Sequence, residues 1–335
     1  MELHHDPRLT SAEIAYLWNT YMDDSATICL IYHFFQRVDD QDIKACLEHT
    51  IQLAESHMER VAQLFAKENI PVPRAFPADQ HVNLNAARLY TDMFYCDVML
   101  NAARFAVLSH TMGLNISSRE DVFILYSEFY EEANHVLKEI LDTMKGKGIF
   151  VRPPYIPYPD KLDIVEKHSF VKGWMGKRRP LLAIEAAQLF DNGITNQMGK
   201  ELLTGFIQTV RDPQIKEYFI RGRELASEFV SKVQSLLEED LVPNGMTWDS
   251  KVTKSTDAPY SDQLMLFLVS TLNALGVARY GQALSMTLRR DVASYYMRCF
   301  ADTTAYSEDG LDLLIQNKWF EQPPPCPERD ELAGK

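Results

Sequence analysis

The sequence lacks the signatures of most enzyme classes. It has no glycine-rich phosphate loop, no GxSxG elbow, no HExxH and no CxxCH. Nucleotide cradles, serine-hydrolase nucleophiles, zinc-protease helices and covalent haem attachment therefore have no support in it. Its cysteines, Cys29, Cys46, Cys96, Cys299 and Cys326, are scattered with no pair at CxxC spacing, which argues against a zinc knuckle or a disulfide framework. No run reaches the roughly 18 apolar residues of a membrane span. Positive charge is short: 34 Lys and Arg face 47 Asp and Glu, a formal net charge of -13. Phosphate backbones and anionic membranes are poor partners for such a chain, so neither nucleic acid nor a membrane is expected.

Met1 to Asp6 carries none of the basic and apolar regions of a secretory signal, and an odd number of cysteines fits a reducing compartment. The expectation is a cytoplasmic protein. Glycine (14) and proline (16) are also scarce, and the prolines cluster, which leaves long uninterrupted stretches for helices.

What the chain does have is a repeat. A shift of 172 residues brings Glu13 onto Glu185, Leu17 onto Leu189, Phe34 onto Phe206 and Ile43-Lys44 onto Ile215-Lys216. It continues through Leu53-Ala54 with Leu225-Ala226, Val61 with Val233, Pro71 with Pro243 and Leu100-Asn101-Ala102 with Leu272-Asn273-Ala274. Beyond a two-residue deletion the offset is 170, pairing Asp121-Val122 with Asp291-Val292 and Pro153-Pro154 with Pro323-Pro324. An offset this steady is the mark of internal duplication.

Each copy reads as four helices, in the first near residues 10–37, 41–68, 86–112 and 118–146. Ile43, Leu47, Ala54, Val61 and Leu64 recur at helical spacing, as do Val122, Leu125, Phe129, Val136 and Ile140. Ser117 and Ser118 read as N-caps of the fourth helix. The fold class expected is all-α: two tandem ferritin-like four-helix bundles from an internal duplication, with a long second-to-third connection. The bundles would take residues 1–150 and 181–322, joined by a linker at 151–180 and followed by a proline-rich tail at 323–335.

Several stretches carry a family resemblance: LTSAEIAYLWNTYMDDS, VNLNAARLYTDMF, FVRPPYIPYPDK, SFVKGWMGKRRPL, TWDSKVTKSTDAPYSDQLM and RYGQALSMTLRRDV. Over nearly its whole length the chain resembles the tandem proteins of domain-of-unknown-function family 3231, common in spore-forming Firmicutes. The resemblance implies a ferritin-like helical fold and a spore association. It implies no activity and supplies no catalytic residues.

The two copies differ in chemistry. All nine histidines lie in the first copy or the linker, and the second copy has none. Di-metal carboxylate bundles use acidic residues and ExxH pairs on facing helices, a donor set suited to iron or manganese. Glu132 and His135 form one ExxH on the fourth helix, and Glu132 falls on the apolar stripe of Phe129 and Val136. His57 falls on the inward face of the second helix. Asp24 and Asp97 are placed at a similar depth on the first and third. Their counterparts are Asp302, Ala305, Phe229, Asn196 and Val269.

Asp24, His57, Asp97, Glu132 and His135 are therefore the candidate metal ligands, against the plainer reading of a solvated acidic face and a hydrogen-bonded core histidine. Lys177-Arg178-Arg179 reads as internal ion pairing. Three functions stand open. The favoured expectation is a non-enzymatic structural or interaction protein, with spore association and homo-oligomerisation left open to it. The alternatives are a metal-binding protein or oxidoreductase with its site in the first bundle, and a small-molecule binder with a bundle pocket.

Overall fold

The computed structural model describes residues 7–173, 178–242, 251–329 and 334. His4, His5, Lys177 and Pro243, all used in the sequence argument, lie outside the described residues. The described chain is all-α. Its helices are α1 (Ser11–Arg37), α2 (Gln41–Lys67), the single turn α3 (Ala78–His81), α4 (Asp92–Ile116) and α5 (Glu120–Gly146) in the first copy. The second copy supplies α6 (Ala183–Thr209), α7 (Pro213–Glu239), α8 (Asp262–Ser285) and α9 (Arg290–Gln316). Residues 151–167 have no regular structure, and a 3₁₀ turn (His168–Val171) follows them.

Local chemistry sets the helix ends. Thr10 and Glu13 form a reciprocal capping box at the start of α1. Asp40 accepts from the Asp42 and Ile43 N–H groups at 3.0 and 3.2 Å, starting α2. Asp212 does the same for Gln214 and Ile215 ahead of α7, where Pro213 occupies the first turn.

The N–H groups just ahead of α5 find a different partner from the expected serine caps. Ser118 and Arg119 donate to Glu13 Oε1, each at 2.8 Å, and Ser117 Oγ turns back to the Gly113 carbonyl. The second copy repeats the device: Leu288 and Arg289 donate to Glu185 Oε1 at 3.0 and 2.9 Å. A buried arginine recurs as well. Arg119 bonds Glu68 and Asp121, and Arg289 bonds Asp240 and Asp291. Matching networks at matching offsets are the structural trace of the duplication.

The third helix begins later than the sequence suggests. Leu89 to Thr91 run extended and pair with residues 251–253: Thr91 N–H donates to the Lys251 carbonyl and Thr253 N–H to that of Leu89, both at 2.9 Å. These residues carry helical hydrophobicity, but their backbone groups are claimed by a segment distant in sequence, and Leu89 and Tyr90 are fully buried there.

Contacts gather the chain into two compact units. The first takes Met1–Leu84, Met99–Thr143 and Ile315–Lys335, and the second takes Asn85–Val98 and Met144–Leu314. Each unit thus includes a stretch that the repeat assigns to the other copy. Within the first, α1 packs along α2, and Leu17, Phe34, Leu47, Val61, Phe65, Phe129 and Ile140 are closed off from solvent. The tail joins this unit where Glu321 accepts from the Arg74 and Ala75 N–H groups. Within the second, α6 packs along α7 around Leu189, Val233, Leu236, Val292 and Tyr296. Helix α8 is long and apolar enough to cross a membrane by length and composition alone, its most apolar 18 residues having mean hydropathy 1.3. It buries Leu264, Met265, Leu266 and Val269 within its unit.

Candidate functional site

The face of α2 that buries Ile43, Leu47, Ala54 and Val61 also buries His57. Helix α1 brings Asp24 to one edge of the ring and α5 brings Glu132 to the other. His57 Nε2 lies 2.7 Å from Glu132 Oε2, while Nδ1 faces Asp24 Oδ2 at 3.3 Å without hydrogen-bond geometry. Glu132 leads outward: its second oxygen is 3.7 Å from the Arg60 guanidinium, which also pairs with Glu128 and covers the Phe129 ring. Phe129 lies against the imidazole, with ring centroids 4.0 Å apart.

The fourth member is His110 on α4, a residue that sequence reasoning did not single out. It is buried, its ring meets that of His57 edge to face at 5.5 Å, and neither of its nitrogens has a hydrogen-bond partner. Asp24, His57 and His110 line a cavity of about 80 Å³ whose walls are largely Leu53, Ala54, Ala102, Ala106 and Val136. Leaving buried polar groups unpaired costs about 1–3 kcal/mol each, so their convergence on one cavity is a feature to be explained.

The two histidines are driven apart in charge. Burial opposes a proton on His57, but the Asp24 and Glu132 carboxylates outweigh it and hold its pKa above the ordinary value. Burial also dominates at His110. Asp24 is too weak a counterweight and His57 adds repulsion, so its pKa falls to about 4. Near neutrality His110 is a neutral imidazole with a lone pair to give.

The five residues expected as one ligand set lie in three places. Asp24, His57 and Glu132 come together. Asp97 belongs to the second unit, where Lys251 Nζ sits 2.5 Å from its carboxylate and 3.9 Å from Glu201. It precedes His110 by thirteen positions, which is ~20 Å along a helix axis. His135 is 62% exposed and turns to Glu139 at 3.3 Å. Three residues is less than a full helical turn, and the remaining rotation carries His135 off the inward stripe of Glu132.

The second copy holds a cavity of similar size at the equivalent position, with other chemistry. Asn196, Phe229 and Tyr280 line it, and Tyr280 Oη donates to Asn196 Oδ1 at 2.9 Å. Phe229 and Tyr280 meet edge to face at 5.8 Å, as His57 and His110 do. Tyr280 is thus the counterpart of His110. The deletion between the copies hides this, because the 172-residue offset would pair His110 with Gln282.

Fold and site together define an all-α tandem protein in which one bundle carries a cavity lined by carboxylate and imidazole side chains and its duplicate a cavity lined by neutral residues alone. The chain belongs to the family described as "Protein of unknown function (DUF3231)", whose profile matches it twice, over residues 1–162 and 169–332. It is similar to the uncharacterized protein YvdQ of Bacillus subtilis (strain 168), with 24% identity over 154 residues, 44% of this chain and 89% of that relative. A solved structure from Bacillus halodurans C-125, described provisionally as that of a spore coat protein, is similar at 20% identity and a TM-score of 0.41. The match covers 46% of this chain and 98% of that one.

Proposed function

We propose that the first bundle binds a single transition-metal ion in the cavity between α1, α2, α4 and α5, as a ferritin-like metal-binding bundle with one working copy. Asp24 and His110 supply donors, and His57 supplies a third from Nδ1 once the incoming ion displaces the proton that Asp24 and Glu132 favour on the ring. Glu132 holds His57 through its other nitrogen, the usual way a carboxylate orients a metal-bound imidazole. The carrying observation is a set of buried atoms without a hydrogen-bond partner on three residues that line one cavity: Asp24 Oδ2 and His57 Nδ1, which face each other at 3.3 Å, and the two nitrogens of His110. Two imidazoles and a carboxylate suit iron(II), manganese or zinc. The carboxylate-rich set of a two-metal bundle does not fit, because Asp97 and His135 lie elsewhere.

Elemental analysis of protein purified without chelator, followed by titration with iron(II), manganese(II) and zinc(II), tests this reading. The expected result is tight binding that Asp24→Asn and His110→Ala each weaken sharply. Wild-type protein that takes up none of these ions, or variants that bind as well as wild type, overturns it.

A second reading, an interaction protein, has its own observation. Leu108, Met112 and Ile116 form a stripe along α4 that is 43%, 45% and 36% exposed, and Phe123 and Ile124 on α5 are each 49% exposed. Apolar side chains recurring every fourth residue on an outer face suit a partner helix. Sedimentation of the wild type and a Leu108→Lys/Met112→Lys variant checks it. Self-association lost in the variant supports the reading, and a monomeric wild type removes self-association as its form.

A further inference from the structure

We infer a second cation site on the surface of the first bundle, formed by His49 of α2 with His135 and Glu139 of α5, and suited to zinc(II). It is separate from the buried cavity and does not rest on that proposal. His49 Nδ1 lies 2.7 Å from Glu139 Oε2, and His135 Nε2 lies 3.3 Å from Glu139 Oε1. The two imidazoles meet edge to face at 5.7 Å, and one donor atom from each residue falls within 4.8 Å of the others. One carboxylate thus has a different imidazole at each oxygen. His135 and Glu139 are one helical turn apart on α5, so their side chains project together.

The alternative is an ordinary ion pair that clamps α2 to α5. The second copy shows what that clamp looks like. The counterparts of His49 and Glu139 are Arg221 and Asp309, which pair at 2.8 Å, and the counterpart of His135 is Ala305. An Arg–Asp bridge therefore suffices to tie the two helices. In the first copy the carboxylate is kept as Glu139, the arginine is replaced by an imidazole that can coordinate metal, and a further imidazole stands where the clamp uses none. Arginine cannot give a lone pair to a cation, whereas neutral histidine can. Two imidazoles and a carboxylate with open solvent beyond them match three-ligand zinc sites, whose fourth position holds water. Exposure at His49 and Glu139, 33% and 35% of each side chain, lets the ion enter without opening the bundle.

The test is site-resolved protection on the full chain. Diethyl pyrocarbonate modifies exposed neutral imidazoles, and peptide mass spectrometry reads each histidine separately. Saturating zinc(II) is expected to slow modification of His135 and His49 while leaving the exposed linker residue His168 unchanged. Glu139→Ala is expected to abolish that protection, and His110→Ala to leave it intact. Modification of His135 at the same rate with and without zinc(II) in the wild type overturns the proposal, as does protection that survives in Glu139→Ala. Because His110 belongs to the other cavity, loss of one site is distinguishable from loss of the other.

Discussion

His57 and Glu132 meet at 2.7 Å across the α2–α5 interface, a buried imidazole bound to a carboxylate that reaches the surface. With Asp24 on the opposite edge, the ring keeps its proton to higher pH than a free histidine. A raised basic pKa stabilises the fold fully below the unfolded value, near 6.5, and that contribution is lost as pH rises through the folded value. Glu132→Gln removes one of the two carboxylates and is expected to lower the His57 pKa. An NMR titration of the ring carbon shift in wild type and variant reads this directly. An unchanged midpoint would mean that Asp24 alone holds the proton.

His110 has the opposite linkage. Its folded pKa is about 4 against 6.5, so its contribution is present above 6.5 and is lost as pH falls toward 4. Urea midpoints of the wild type between pH 7 and pH 4 are expected to decline with an inflection that His110→Phe removes. A decline of the same shape in both proteins would assign it to other groups.

The second copy provides a design for the first. Asp24→Asn, His57→Phe and His110→Tyr together install the residues found at Asn196, Phe229 and Tyr280. Replacing a buried ionic cluster by well-packed neutral groups is often neutral or stabilising by ~1–4 kcal/mol. The triple variant is expected to fold, to match or exceed wild-type stability in urea and, on the proposed metal reading, to bind less transition metal than the wild type. A clear loss of stability would show that the polar cluster serves packing in its own right.

Glu13 joins the start of α1 to the approach to α5. Burial opposes its charge, yet the N–H groups of Thr10, Arg119 and Ser118 and the Thr10 hydroxyl outweigh that and bring its pKa down to about 2. A depressed acidic pKa contributes stability above 4.5 that is lost as pH falls toward 2. Glu13→Gln is expected to cost ~1.5–3 kcal/mol near neutrality, the range for hydrogen bonds to a charged group. It should also flatten the acid limb of the unfolding profile. Glu185→Gln should behave alike, since that carboxyl is also drawn down to about 2.

Two glycines of the second copy are packing devices. Tyr218 and Tyr306 stack at 4.2 Å and 7°, and each lays its hydroxyl end over a glycine of the other's helix, Gly310 and Gly222. A methyl group at Gly222 would collide with Tyr306, so Gly222→Ala is expected to destabilise by ~1–3 kcal/mol. The first copy has Thr50 and Val136 at these positions. Adding Tyr306→Val should therefore recover part of the loss, a coupling that a double-mutant cycle in urea measures.

The sequence made the helices legible where their ends depend on neighbours. The caps at Thr10 and Asp40 sit within three residues of the groups they satisfy, so α1 and α2 begin where a local reading puts them. The start of α4 depends on a pairing some 160 residues away, between Tyr90 and Val252, and no local signal announces it. That single shift explains the placing of Asp97. Counted from residue 86 it stands mid-helix, but α4 begins at Asp92, which leaves Asp97 in its second turn. His57 and Glu132 were legible because each interrupts an apolar stripe. His110 was not, because the deletion between the copies obscures which residue it answers to.

The unit composed of residues 85–98 and 144–314 draws on both copies, and so does the unit that takes in 315–335. A deletion that cut the gene cleanly at the repeat boundary would return neither bundle intact. The segment carrying Leu89 and Tyr90 would lose its pairing with residues 251–253, and Arg74 and Ala75 would lose the Glu321 carboxylate. What began as two copies has become a single heritable object, in which the half without histidines cannot be discarded without harming the half that carries them.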